Sequence, residues 1–155
     1  MGKIILGADH RGVAYLDKLK EYIESLGHEV LVVKSEDKAD DYPDIVREIV
    51  SEYKKGKADK IIVMCGSGVG ADIALNKFDG IYSCLARSAA DVYFARRHEN
   101  VNALALGSGI RDDFYSIQTD YDTIYEIIDA FLNTTFEGGR HLRRLEKLKR
   151  IELNN

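Results

Sequence analysis

Cys65 closes an apolar run and opens the glycine-alternating stretch Cys65-Gly66-Ser67-Gly68-Val69-Gly70, the part of this chain best suited to chemistry. Ile61 to Met64 is short, apolar and rich in β-branched residues, which predicts a buried parallel strand. The glycines predict a turn with open backbone N–H groups, and Val69 to Asn76 continues as a helix. Strand, glycine turn and helix N-terminus together form an anion-binding nest. A thiol at its lip is expected to have its pKa lowered by those backbone dipoles. The letters exclude several alternatives. The spacing is not G-x-G-x-x-G, and no Gly-Lys-Ser/Thr follows, so neither nucleotide fingerprint is present. A cysteine phosphatase needs an arginine soon after its nucleophile, where this chain has Ala71, Asp72 and Ile73.

Other reactive side chains fall at three places. Asp9, His10 and Arg11 follow the first predicted strand, and Arg96-Arg97-His98-Glu99-Asn100 follows a predicted helix. Near the end, Glu137-Gly138-Gly139-Arg140-His141-Leu142-Arg143-Arg144 sets Arg140 and Arg144 four apart, on one helix face, where both can grip one phosphate. Each has a plainer reading taken singly: Asp9 as a cap, His98 as a surface histidine, Cys65 as a small buried hydrophobe. No cluster with metal-ligand spacing appears in the letters, and no cofactor is expected.

Strands are predicted over 3–6, 30–33, 60–64, 82–85 and 103–106. Helices are predicted over 13–26, 44–55 (with Pro43 at N1), 69–76, 89–97 (capped by Ser88), 124–132 and 140–151. That alternation predicts an α/β fold, a Rossmann-like three-layer α/β/α sandwich on a five-stranded parallel sheet. Ligands of such sheets gather at the carboxyl ends of the strands, which brings together Asp9, His10, Cys65 to Gly70 and the loop at Gly107. The polar stretch 107–122 is long for a connection, and reads as an ordered insertion or a lid. At 155 residues, with 45% hydrophobic and 31% charged residues, one domain over 1–155 is expected. No apolar run approaches the roughly 20 residues of a membrane span, no leader pattern is visible, and two cysteines argue for a reduced cytoplasmic protein. From Arg140 onward six cations face Glu146 and Glu152, so the tail carries +4 and the rest −8 of the net −4. The acidic body argues against a nucleic-acid partner.

Taken in order, Gly7-Ala8-Asp9-His10, Asp41-Tyr42-Pro43-Asp44, the Cys65–Gly70 loop, Ala95 to Asn102, Ala105-Leu106-Gly107 and Glu137-Gly138-Gly139-Arg140-His141 resemble the ribose-5-phosphate isomerase B family. That family includes galactose-6-phosphate and allose-6-phosphate isomerases. The resemblance implies metal-independent aldose–ketose isomerisation of ribose 5-phosphate and ribulose 5-phosphate through a cis-enediol. It implies Cys65 as the base between C1 and C2, Ser67 as the hydroxyl assisting proton movement, and His98 as the ring opener. Asp9 and His10 would stand around the sugar, with Tyr42 and Asn100 lining it and the Gly66, Gly68 and Gly70 backbone cradling the enediolate. Arg140 and Arg144 would hold the phosphate of a neighbouring subunit. A homodimer or tetramer with shared sites follows, its basic arm (138–155) packing on the partner.

The chain departs from the family after the fifth strand. The usual Leu-Gly-x-Arg reads Leu106-Gly107-Ser108-Gly109, with Arg111 two residues beyond as the candidate substitute and about nine extra residues near 112–120. The departure keeps two alternatives in view: a six-carbon sugar phosphate as substrate, or a non-catalytic sugar-phosphate-binding module.

Overall fold

Five short strands rich in branched apolar residues stand at the centre of the structure, and the three inner ones bury both of their faces. The computed structural model describes residues 2–35, 37 and 40–154. Met1, Glu36, Lys38, Ala39 and Asn155 lie outside the described residues, and so do the outermost ends of the expected 1–155 domain and 138–155 arm. Strands β1 (Lys3–Ala8), β2 (Glu29–Lys34), β3 (Lys60–Cys65), β4 (Ser83–Leu85) and β5 (Ala103–Gly107) pair in the order β2-β1-β3-β5-β4, all parallel. Because side chains alternate along a strand, Ile4, Leu6, Ile62, Met64, Leu104 and Leu106 point to one face. There they meet α1 (Leu16–Ser25), α4 (Ala89–Glu99) and α5 (Tyr121–Asn133). Ile5, Ile61, Val63, Ala103 and Ala105 point to the other, against α2 (Tyr42–Glu52) and α3 (Val69–Leu75). This is the expected three-layer α/β/α sandwich. The connections from β1 and β3 leave in opposite directions across the sheet, which opens a crevice at their carboxyl ends.

Boundaries shift where local chemistry competes with periodicity. The first helix begins as a 3-10 turn, Val13–Tyr15, because Val13 and Gly12 both donate to the Asp9 carbonyl. Pro43 is the second helical residue of α2, after Tyr42, with extended Asp41 as cap. The long stretch after β5 is an ordered hairpin, β6 (Gly109–Arg111) against β7 (Ser116–Gln118). Its turn is held by the Asp112 carboxylate, which accepts the Phe114 and Tyr115 N–H groups at 2.8 Å each. Helix α6 (Arg140–Leu153) lies against its own chain. His141 and Leu145 are buried there, and Glu152 Oε1 accepts the Gly80 N–H at 3.1 Å.

Phe131 of α5 is fully buried among these layers. Replacing it with alanine should cost about 3–5 kcal/mol. Urea unfolding checks this, and a loss under 1 kcal/mol would show that the α5 face does not hold the sandwich.

Candidate active site

The loop after β3 folds back on its own thiol. Gly68 sits at φ 85°, a left-handed conformation suited to glycine, and turns its N–H onto Cys65 Sγ at 3.1 Å. The Val69 N–H bonds Ser67 Oγ at 3.2 Å. Two N–H groups of the expected cradle therefore serve the loop itself. Cys65 is only 5% exposed, and its thiol lies above the ordinary value. Burial is the main cause and the Asp9 charge adds to it, outweighing the Ala71 and Gly68 N–H groups and the Arg87 charge. The lowered pKa expected from the dipoles is thereby corrected: the dipoles act, but desolvation of a buried sulphur exceeds them.

The neighbouring strand ends are stitched to this loop. Ser108 N–H donates to the Cys65 carbonyl at 2.7 Å and Gly109 N–H to the Gly66 carbonyl at 3.0 Å. Ser108 Oγ donates to the Arg11 carbonyl at 3.1 Å. Asp9, 7% exposed at the end of β1, accepts the Arg11 N–H at 3.0 Å, and His10 stands exposed beside it. The glycines leave room for specific neighbours. A Cβ on Gly70 would meet the Tyr42 ring at 2.7 Å, and one on Gly66 would meet Arg11 Cδ at 2.9 Å. Asp9, Tyr42, Cys65, Gly66, Ser67, Gly68 and Gly70 are thus gathered at one sheet edge. Arg111 is exposed on the hairpin, which with Arg11 borders an open cleft of about 690 Å³.

His98, Asn100, Arg140 and Arg144 form a second group. The Glu137 carboxylate is its hub, within 3.2 Å of Arg140, 3.4 Å of Arg97, 3.7 Å of His98 Nε2 and 3.6 Å of His141 Nε2. Burial pushes Glu137 up, but the Arg140 and Arg97 charges outweigh it and hold it below the usual range. The His98 and His141 rings stack at 4.4 Å. Asn100 caps α4 at φ 49°, its side chain accepting from the buried Arg96 at 3.1 Å. Among the described residues no hydrogen bond, ion pair or ring contact joins the two groups. The reason is the direction of α4: it leaves the carboxyl end of β4 and returns over 11 residues, about 16 Å, to the edge where β5 begins.

The second group also brings together His98, Glu137 and His141, whose ligand atoms all lie within 4.8 Å of one another. Folding joins residues that their spacing keeps apart. The donor set nevertheless suits an anion. Arg144 donates to His141 Nδ1 at 3.2 Å, which leaves the proton of the neutral ring on the buried Nε2. Burial first, then the Arg140 and His98 charges, lower the His141 pKa and keep that ring neutral.

Two arginines border the first group: Arg11, already singled out beside Asp9 and His10, and Arg87, which carried no motif signal. Arg11 lies over Gly66, and Arg87 Nη2 donates to the Ser67 carbonyl at 2.6 Å. Both stand at carboxyl ends of strands, which is the signal that marks them.

The fold and the thiol-bearing loop define an α/β protein with its reactive edge at the switch point of a parallel sheet. The Ribose/Galactose Isomerase family pattern matches residues 4–148, and the chain belongs to that family. It is 34% identical over 152 residues to the probable ribose-5-phosphate isomerase B of Mycoplasma genitalium, covering 96% of this chain and 95% of that one. It is 31% identical to ribose-5-phosphate isomerase B of Escherichia coli, over 98% of this chain and 97% of the other. Among solved structures, ribose-5-phosphate isomerase B of Mycoplasma genitalium with bound ribulose-5-phosphate superposes with a TM-score of 0.84 at 33% identity, covering 99% of this chain and 97% of that one. The Clostridium thermocellum ribose-5-phosphate isomerase B gives 0.87 at 31% identity, covering 98% of both chains.

In a Cys84→Ser background, alkylation of Cys65 by iodoacetamide should reach half its limiting rate above pH 8.5, about the ordinary thiol value. A midpoint below pH 7.5 would show that the backbone dipoles outweigh burial.

Proposed function

We propose that this chain isomerises ribose 5-phosphate to ribulose 5-phosphate, with Cys65 as the carbon base. The observation that carries this is the Cys65 sulphur, buried at the end of β3 with the Gly68 N–H on it and Asp9 beside it. The Cys65 thiolate removes the proton from C2 of the open-chain aldose, leaving a cis-enediolate with its negative charge on O1. Ser67 moves the hydroxyl proton between O1 and O2, and Cys65 returns its proton to C1. Negative charge on the enediolate faces the backbone N–H groups of Gly66 and Gly70, since those of Gly68 and Val69 serve the loop itself. Asp9, His10, Tyr42 and Arg11 are the residues that bound the sugar in this reading.

His98, Asn100, Arg140 and Arg144 act in trans, from a second copy whose α4 and α6 meet this carboxyl edge. Three features support this. They lie apart from Cys65 in their own chain, their cations outnumber Glu137, and apolar side chains stand exposed on the same helices. Val69 and Ile73 of α3, Tyr93 and Phe94 of α4, and Leu142 of α6 are 42% to 55% exposed. His98 then opens the furanose ring, and the arginine pair holds the phosphate. The span 1–155 acts as one domain, in the cytoplasm, where its two free cysteines stay reduced. Among the described residues no helix is long and apolar enough to cross a membrane.

The β6–β7 hairpin favours a second reading, in which the rim admits a six-carbon aldose phosphate. Assaying ribose 5-phosphate beside allose 6-phosphate and galactose 6-phosphate decides between them: the pentose should turn over with the highest kcat/KM. Higher kcat/KM on a hexose phosphate would move the assignment to that substrate, and binding without turnover of any would leave a binding module. Cys65→Ala should lower kcat by about 10²–10⁴ with the fold intact. Full activity of that variant would remove Cys65 from the base role.

A further inference from the structure

Among the described residues Arg87 is the cation that reaches the Cys65 loop from the end of a neighbouring strand, and the chemistry described so far gives it nothing to do. It stands two residues past the end of β4, with its backbone N–H fixed by the Asp91 carboxylate at 3.1 Å. Its side chain runs back beneath the loop, where Nη2 donates to the Ser67 carbonyl at 2.6 Å. The other terminal nitrogen, Nη1, is buried and has no hydrogen-bond partner. A Cβ on Gly107 would come within 2.7 Å of that nitrogen and 2.8 Å of the Ser67 carbonyl. Gly107 is therefore bare because the guanidinium fills the space beside it. Gly107 is also the β5 partner of Cys65 in the sheet register, so the cation stands one strand away from the thiol.

A buried donor without a partner costs free energy, and a chain keeps such a group where its charge is used. The groups facing Cys65 leave it a shortage of positive charge. Asp9 opposes ionisation from the end of β1, and Arg87 is the cation whose charge favours it. Arg11 lies over Gly66, on the solvent side of the loop. Position 109, the family pattern's arginine, is glycine here, with φ 143° that excludes an easy side chain.

We propose that Arg87 is a positioning residue of the isomerase site: it clamps the Ser67 carbonyl so that the loop keeps its N–H groups on Cys65, and it supplies the fixed positive charge that lets the buried thiol ionise. The inference rests on Cys65 being the base, but its test does not. The guanidinium is the right group for both tasks, since one nitrogen binds the carbonyl while the delocalised charge remains at the loop.

The experiment is the pH dependence of Cys65 alkylation by iodoacetamide in Cys84→Ser protein, compared with the same protein carrying Arg87→Met or Arg87→Lys. Arg87→Met should raise the alkylation midpoint by about half a unit to one unit. Arg87→Lys should recover most of that shift, because it keeps the charge. The rising limb of kcat/KM against pH should move with the thiol midpoint in each variant. An unchanged midpoint in Arg87→Met overturns the proposal, as does an Arg87→Lys midpoint as high as that of Arg87→Met. If Arg87→Met does not fold, Arg87→Lys decides alone: a midpoint within about 0.3 unit of the parent supports the role of charge, and a larger rise overturns it. Because the readout is a thiol titration, a protein inactive on ribose 5-phosphate would refute the activity while leaving this result standing.

Discussion

The polarity of the sheet governs everything else in this molecule. All five strands run the same way, so every strand delivers its carboxyl end to one edge and every helix must travel back to the other. The arrangement gathers Asp9, Cys65, Gly107 and Arg87 without any long-range steering, because each merely follows its strand. The same rule carries His98 away. Eleven residues of α4 move it about 16 Å toward the opposite edge, where it meets the Glu137 hub at the start of α6. A chemistry that needs both Cys65 and His98 is therefore divided by topology within one chain.

At the reactive edge, backbone bonds between strand ends do the positioning. Ser108 and Gly109 donate to the carbonyls of Cys65 and Gly66, so the loop after β5 is fastened to the loop after β3. The Tyr15 hydroxyl donates to the Ser108 carbonyl and ties in the first turn after β1. The thiol is held in a dry, hydrogen-bonded recess, and its resistance to ionisation is the direct consequence of that burial. The site meets that resistance with dipoles from Gly68 and Ala71 and with the charge of the half-buried Arg87.

The strands and the helices behind them were legible because each buries an apolar stripe whose period is visible in the letters. The Cys65–Gly70 loop was legible because glycine alternation after a buried strand has few other uses. Three things were hidden for identifiable reasons. Arg87 bonds a backbone carbonyl 20 residues away, and a carbonyl leaves no trace in sequence. Glu137 belongs to a motif that the letters present, yet its role as hub needs α4 and α6 side by side. The direction of the Cys65 shift depends on how deeply the sulphur lies, and periodicity does not measure depth. The hairpin after β5 was visible only as excess length, and Gly109 at φ 143° explains why a glycine stands where the family pattern has arginine.

The central claim is that one site takes Cys65 from one copy and His98 from another. It is tested most directly by co-expressing Cys65→Ala and His98→Ala chains with different affinity tags and purifying the mixed oligomer. Each variant alone should be nearly inactive on ribose 5-phosphate. The mixed dimer should recover about half of the wild-type activity, since one of its two sites then carries both groups. A mixed oligomer as inactive as its parents would contradict the account and place both groups in one chain's site.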